Sequence, residues 1–385
     1  LSLFRGGFTH EAASAITGAS LPTLLSLVDK SLIRRAVDDN DAANMREIAG
    51  APRFEIPETI RQYAAEQLST AGEAQAFLAA YAHFFAQKMA DLSTELRGDG
   101  QVEALDRMAA EIDNLRVAFT WAIDHYPDQT EVAARFLDAS TGALFDFLDI
   151  RGWFQEGVSL FAAATDAVSH LDPRLESKLR ARQAWFLFHE GNHEKSRTLL
   201  QHCLTVAEET ENVSERLFVL NYLSAVVQHM GDERSARGYL ADAVALEEAH
   251  PDTHAAGITA NIAAMVAFAS GDLEEASRQC DRALHFKQRG NEMRGRTYAL
   301  NILGRVFRLQ GKLDQARRAF AQSLDIAEEL GDPRALATAQ QHLGVVALDS
   351  GQLAGARRQI QIALETFRQI GSRIETSTAL VQLGL

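Results

Sequence analysis

The sequence lacks several things that particular functions require. Its two cysteines, Cys203 and Cys280, stand far apart inside helical patterns, which makes a disulfide framework unexpected and points to a reducing, cytoplasmic setting. Seven prolines in 385 residues, and no alternating β-branched runs, leave little room for sheet. No run of about 18 apolar residues is present, and no charged-then-apolar leader, so neither a membrane span nor a secretion signal is expected. Basic excess is missing too. The net charge is -14, with 11 basic against 19 acidic residues in 1–130 and 27 against 33 in 131–385, which is not the balance of a surface that wraps phosphate backbones.

What is present is 46% hydrophobic and 23% charged residues, an ordinary globular balance in a chain long enough for two or three domains. Ala, Leu, Glu, Gln and Arg are abundant, so helix is expected nearly throughout, with at most one small β element. The chain opens on LSLF rather than Met and closes on Leu383-Gly384 in mid-repeat, and is expected to be a piece of something longer.

From residue 171 onward the sequence falls into rows of 40 without a gap. Gly191, Gly231, Gly271, Gly311 and Gly351 share one column, and Ala236, Ala276, Ala316 and Ala356 another, with Ser196 in the first row. Each row reads as helix, short turn, helix, longer turn. Around Gly311 stand Leu303, Gly304, Phe307, Ala316 and Phe320, which resembles the tetratricopeptide pattern L-G-x-x-Y…G…A-x-x-x-F stretched to 40 residues. Gly152, Gly157, Phe161 and Ala164 continue it upstream with one residue of slippage. The expectation is a right-handed tetratricopeptide superhelix over 131–385, of about six repeats with the last truncated.

Two motifs compete with that register. HEGNH, His189–His193, matches the H-E-x-x-H of zinc proteases, in which both histidines lie on one face of a continuous helix. Gly191 is a turn glycine of the repeat, so His189 is expected to end one helix and His193 to begin the next, as solvated turn histidines. GNEMRGRT, Gly290–Thr297, is one substitution from a phosphate loop, but it follows helical sequence where a phosphate loop follows a buried strand. Gly98-Asp99-Gly100 lacks the third glycine of a dinucleotide fingerprint. No catalytic residue, metal site or cofactor is assigned.

The N-terminal region differs. HEAASAIT and LPTLLSLVDKSLI read as short helices, a polar stretch from Asp38 to Gly50 follows, and PRFEIPETIRQYAAEQL reads as a strand running into a helix, which together suggest a winged helix over 1–67. A pair of long helices over 68–130 would join it to the solenoid, with Tyr81, Phe84, Phe85, Leu115, Phe119 and Trp121 as core. The ordered runs LSLFRGGFTHEAASAITG, LVDKSLI, RFEIPETIRQYAAEQL, EIDNLRVAFTWAI and FDFLDIRGWFQEG resemble the segment after the ATPase core in bacterial STAND-type signalling ATPases. That group includes LuxR-type regulators and, distantly, the maltose regulator. The resemblance implies an upstream nucleotide-binding module as partner and a repeat arm that senses an inducer or a protein. The second helix offers only Lys30 to bases, and Arg34, Arg35, Arg46 and Arg53 near the wing are expected to be solvated, so direct DNA contact is not expected.

In such a superhelix the first helix of each pair lines the concave face. One column there holds Asn221, Asn261, Asn301 and Gln341. Their carboxamides can pair with an extended peptide, or instead hydrogen-bond to the neighbouring helix. His229, Phe268, Tyr298, Arg305 and Arg308 are further candidate lining residues, the two arginines for a carboxylate or phosphate. Arg305 and Arg308 belong to 289–318, the single basic stretch of the chain, which a solvated face also explains. The expected function is a non-enzymatic sensor arm of a multidomain bacterial transcriptional regulator, its concave face taking a small inducer or a peptide or protein partner. A self-associating scaffold is the alternative, and a zinc hydrolase through HEGNH the remote one.

Overall fold

The computed structural model describes residues 1–36, 52–98, 100–126, 130–251, 253–289 and 293–384. The stretch from Asp38 to Gly50 with Arg46, Asp99, and Gly290 at the head of the phosphate-loop-like run lie outside them. The chain forms two compact units, Leu1–Glu95 with Val102–Ala143, and Leu96–Gln101 with Leu144–Leu385. It is mainly all-α. Among the described residues, no single helix is long and apolar enough to cross a membrane.

The first unit runs β1 (Phe8–Thr9), α1 (His10–Thr17), α2 (Leu21–Asp29), β2 (Arg34–Arg35), β3 (Arg53–Glu55), α3 (Glu58–Thr70), α4 (Ala74–Glu95) and α5 (Gln101–His125). The strands form an antiparallel sheet in the order β1-β3-β2, with Phe8 opposite Phe54 and Arg34 opposite Glu55. Thr9 caps α1 by accepting the Ala12 N–H at 3.2 Å, and Ser20 caps α2 in the same way through Thr23, each satisfying an amide that a helix start leaves unpaired. Ala12, Ala13 and Ile16 of α1, Leu24 of α2, Phe8 and Phe54 are buried, and Phe4 stacks on Phe8 with ring centres 4.7 Å apart. Of the wing arginines, Arg35 is exposed as expected, while Arg34 and Arg53 are engaged. Arg34 pairs with Glu55 at 2.8 Å, and Arg53 with the buried Glu111 of α5 at 2.5 Å.

The second unit is the solenoid. Its helices are α6 (Thr130–Ile150), whose last turns belong to it, α7 (Phe154–Val168), α8 (Pro173–His189), α9 (His193–Glu209), α10 (Val213–His229), α11 (Glu233–Ala249), α12 (Thr253–Ala269), α13 (Leu273–Arg289), α14 (Met293–Leu309), α15 (Leu313–Leu330), α16 (Pro333–Asp349), α17 (Leu353–Gln369) and α18 (Arg373–Leu383). From α8 on, the first helix of each pair begins 40 residues after the last. The glycine column makes the turn within each pair. Gly191 adopts φ +82°, and the N–H beyond it, on Asn192, reaches back to the Leu187 carbonyl at 2.9 Å. The same bond recurs from Asp232, Asp272, Lys312 and Gln352, so each first helix ends in a left-handed Schellman cap that only glycine adopts without strain.

Small residues bring the paired helices together. An added Cβ on Gly304 would lie 2.5 Å from the Phe320 ring, and one on Gly344 would lie 2.8 Å from Ile360. The superhelix also winds back on itself. Arg151, in the turn after α6, donates to the carbonyls of Leu330 and Gly331 at 2.9 and 3.0 Å. The first pair of helices therefore touches the fifth and sixth pairs, which goes beyond the neighbour-only contacts of an open solenoid.

Gly304→Ala forces overlap with Phe320 and is expected to cost about 1–3 kcal/mol. Gly355→Ala, inside α17 with nothing within 4 Å of the new methyl, should instead stabilise by about 0.5–1 kcal/mol. Urea denaturation of the two variants checks the opposite signs.

Candidate ligand-binding site

The curvature of the second unit encloses a cavity of about 570 Å³, in the size range of small-molecule sites. Side chains from α6, α8, α10, α12, α14, α16 and α18, the first helices of the pairs, line it together with Leu96 and Gln101. The lining obeys the 40-residue period. One column is Tyr222, Ile262, Ile302 and His342, another Ala225, Met265 and Arg305, a third Arg294 and Arg334. On one helix the first two columns lie three residues apart and the third lies eight residues before the first, about two turns, so one helical face looks inward.

One end of the cavity is a buried ionic network. Asp149, 2% exposed at the end of α6, accepts from Trp185 Nε1 at 3.1 Å and from Arg294 Nη2 at 2.5 Å. Arg294 Nε stands 3.7 Å from Asp332. Arg334 donates to the Tyr298 hydroxyl, and its Nη1 lies 3.6 Å from Glu375 of α18. Gln101 accepts the Met293 and Arg294 amides at 3.0 and 3.2 Å, holding the start of α14. Burial by itself would raise the Asp149 carboxyl, but Arg294 and Arg334 outweigh it and hold it below the usual carboxylate range. At Asp332 burial wins, and its pKa is raised despite the same two arginines. Removing one partner of such a pair leaves an uncompensated buried charge, a loss of about 3–5 kcal/mol.

His189 sits beside this network and corrects the expectation of a solvated turn histidine. It does end α8, and His193 begins α9, so the HEGNH residues occupy two helices. His189 is nonetheless 2% exposed, stacked on Phe154 at 4.6 Å and edge-on to Trp185 at 4.7 Å. Burial pushes its pKa down to about 4, with Arg334 adding to the effect. His193 is partly covered, its ring 4.7 Å from that of His229. The phosphate-loop-like run, from Met293 on, simply opens α14.

The carboxamide column divides its atoms between repeats. Asn221 donates to Thr259 at 3.1 Å, Asn261 to the Gly295 carbonyl at 3.0 Å and Gln341 to Gln382 at 2.9 Å, each partner lying on the next first helix. Asn301 makes no hydrogen bond among the described residues. The oxygens of Asn221, Asn261 and Asn301 have no partner there. Of the nine residues singled out from the sequence, His229, Asn261, Tyr298, Asn301 and Arg305 line the cavity. Asn221, Gln341, Phe268 and Arg308 do not. Phe268 instead lies beneath Arg305, 4.1 Å from ring centre to guanidinium, and Arg308 bridges to Asp349 at 2.9 Å.

Asp149, His189, Arg334 and Glu375 also line the cavity. Two features of the sequence mark Asp149 and Arg334. Arg294 and Arg334 recur at the repeat period, and Asp146 and Asp149 are charges set in the otherwise apolar run FDFLDI.

Residues 177–383 match the family model described as the MalT-like TPR region. A Mycobacterium tuberculosis (strain H37Rv) protein whose name places it among HTH-type transcriptional regulators is 32% identical over 170 residues, which is 42% of this chain. A Mycobacterium bovis protein of the same description matches to the same extent. The chain spans 17% of the length of these curated relatives. Among solved structures, the Signal Transduction ATPase with Numerous Domains (STAND) protein with a tetratricopeptide repeat sensor from Pyrococcus horikoshii superposes with a TM-score of 0.57. It covers 98% of this chain and 51% of that one at 13% identity, a likeness of fold.

His189 gains a proton in the unfolded chain below about pH 6.5 but in the fold only below about 4. Its contribution to stability is therefore complete above pH 6.5 and is lost as pH falls through that window, by about 3 kcal/mol. Urea denaturation from about pH 4.5 to 7.5 should show stability rising with pH, and His189→Gln should remove about one proton's worth of the slope.

Proposed function

The chain belongs to the MalT-like TPR region family, and on that premise we propose that it is the sensor arm of a multidomain bacterial transcriptional regulator. Its lumen binds an inducer or a peptide-like partner, and its own residues catalyse nothing. The observation that carries this reading is the cavity of about 570 Å³, whose walls are repeated faces of successive first helices. Apolar columns supply the burial that binding needs, and a few convergent polar groups supply orientation, as in small-molecule sites generally.

The same reading gives the rest of the regulator its place. An ATPase module upstream and a DNA-binding output domain would lie outside this chain, in a cytoplasmic protein. Coupling would run through the closure of the superhelix. The cavity wall includes both Asp149 of the first pair and Glu375 of α18, so a ligand that touches both ends binds one curvature better than another. Only such differential affinity can shift a conformational equilibrium. The wing arginines Arg34 and Arg53, already engaged with Glu55 and Glu111, favour a packing role for the N-terminal sheet over DNA contact.

A metabolite and peptide library screened by thermal shift tests the reading. A true lumen ligand at 100 times its Kd stabilises by about 2.7 kcal/mol and raises the melting temperature. Ala225→Trp, which fills the cavity from α10, should abolish that rise, with Met265→Trp as a second filling variant. Hits that stabilise the filled variants as much as the parent would place the site elsewhere.

A further inference from the structure

Among the described residues three arginines line the cavity, and two are neutralised where they stand, Arg294 by Asp149 and Arg334 by Glu375. Arg305 is different. Among the described residues it makes no ion pair, its flank is covered by the Phe268 ring at 4.1 Å, and the charge nearest to it in effect is a second cation, Arg308. Burial first, and Arg308 second, push its pKa down. His342, beside it on the same wall, is kept neutral by burial and by these two arginines, with a pKa of about 3, and so can donate a hydrogen bond without adding charge. A half-buried guanidinium with no counter-ion leaves room for an anion to pair with it at a smaller desolvation cost than in open water.

One helical turn before Arg305 stands Asn301. It is 9% exposed and makes no hydrogen bond among the described residues, so its carboxamide has both a donor and an acceptor to offer. Across the cavity wall on α12, Asn261 is 8% exposed, with its Nδ2 spent on Gly295 and its oxygen unpartnered. Asn301 and Arg305 are separated by about 6 Å along the helix axis, the span of about two residues of extended chain. Between and around them the wall is apolar, from Tyr222, Ile262, Met265 and Ile302.

Resting on the reading of the cavity as a ligand site, we propose that it takes a short apolar peptide with a free C-terminal carboxylate. Arg305 receives the carboxylate, Asn301 and the oxygen of Asn261 pair with the adjoining amides, and the apolar columns hold the side chains. The charge sets the polarity, since the other end of the cavity already balances its own arginines with carboxylates. An acceptor-rich neutral ligand would leave Arg305 unneutralised, and a simple fatty carboxylate would leave both asparagine oxygens without a donor.

Displacement of the fluorescent apolar amine N-phenyl-1-naphthylamine from the whole chain tests this. The competitors are pools of N-acetylated tripeptides of Leu, Ile, Met and Phe, one pool with free C-terminal acids and one with C-terminal amides, and octanoate. The acid pool should displace the dye at about tenfold lower concentration than the amide pool, as expected of a charge-assisted hydrogen bond, and also better than octanoate. Arg305→Met should erase the acid preference, Arg305→Lys should retain part of it, and Asn301→Ala should bring the acid pool down to octanoate. Equal potency of the two pools, or an acid preference that survives in a folded Arg305→Met, would overturn the proposal while leaving the cavity reading intact. Absence of dye binding by the folded chain would overturn both.

Discussion

The carboxylate of Asp149 joins parts of the solenoid that are far apart in sequence. It accepts from Trp185 on α8 and Arg294 on α14, and through Arg334 and Glu375 the same network reaches α16 and α18. An ion taken this far from water is costly unless every lone pair is met, and a half-satisfied network is worse than an apolar core. The geometry of the closed turn meets those demands in part, with Trp185 and Arg294 on one oxygen of Asp149 and the other oxygen 4.0 Å from His189 Nε2. If the superhelix opened, Asp149 and Arg294 would separate, and the cavity between them would lose both its end wall and its shape.

Closure explains why the inner surface is concave enough to hold a small ligand. An open tetratricopeptide superhelix presents a wide groove suited to an extended partner, since each repeat touches only its neighbours. Here Arg151 grips the Leu330 and Gly331 carbonyls from the first pair. The lumen is narrowed to a site with an ionic end, an apolar middle and, among the described residues, one guanidinium without a carboxylate partner. The carboxamide column contributes to both sides of this arrangement, the amino groups of Asn221, Asn261 and Gln341 bracing one repeat to the next and the oxygens of Asn221, Asn261 and Asn301 left over.

Much of the fold was legible in the sequence. The row period, the helix pairs and the turn glycines follow from local rules, because a left-handed cap needs glycine and a close helix approach needs a small residue, whatever the rest of the chain does. That logic also separated His189 and His193 onto two helices. The burial of His189 was not legible, since its neighbours Phe154 and Trp185 come from other elements and its local sequence, next to Gly-Asn, is that of an exposed turn.

The inward face of each first helix was legible only to within about one residue, which is about 100° of helix rotation. The column that lines the lumen in four successive first helices is Tyr222, Ile262, Ile302 and His342, one step beyond the carboxamides, of which Asn261 and Asn301 also reach it and Asn221 and Gln341 do not. Hydrophobic periodicity identifies a buried stripe, but a first helix is buried on several sides, and the stripe alone does not say which side faces the lumen. Pairing within a repeat and stacking of neighbours were thus settled by the sequence alone, through contacts close along the chain. The meeting of Asp149 with Arg294 and of Glu375 with Arg334 was decided only by the tertiary structure. It depends on small rotations summed over several repeats, and no local pattern records that sum.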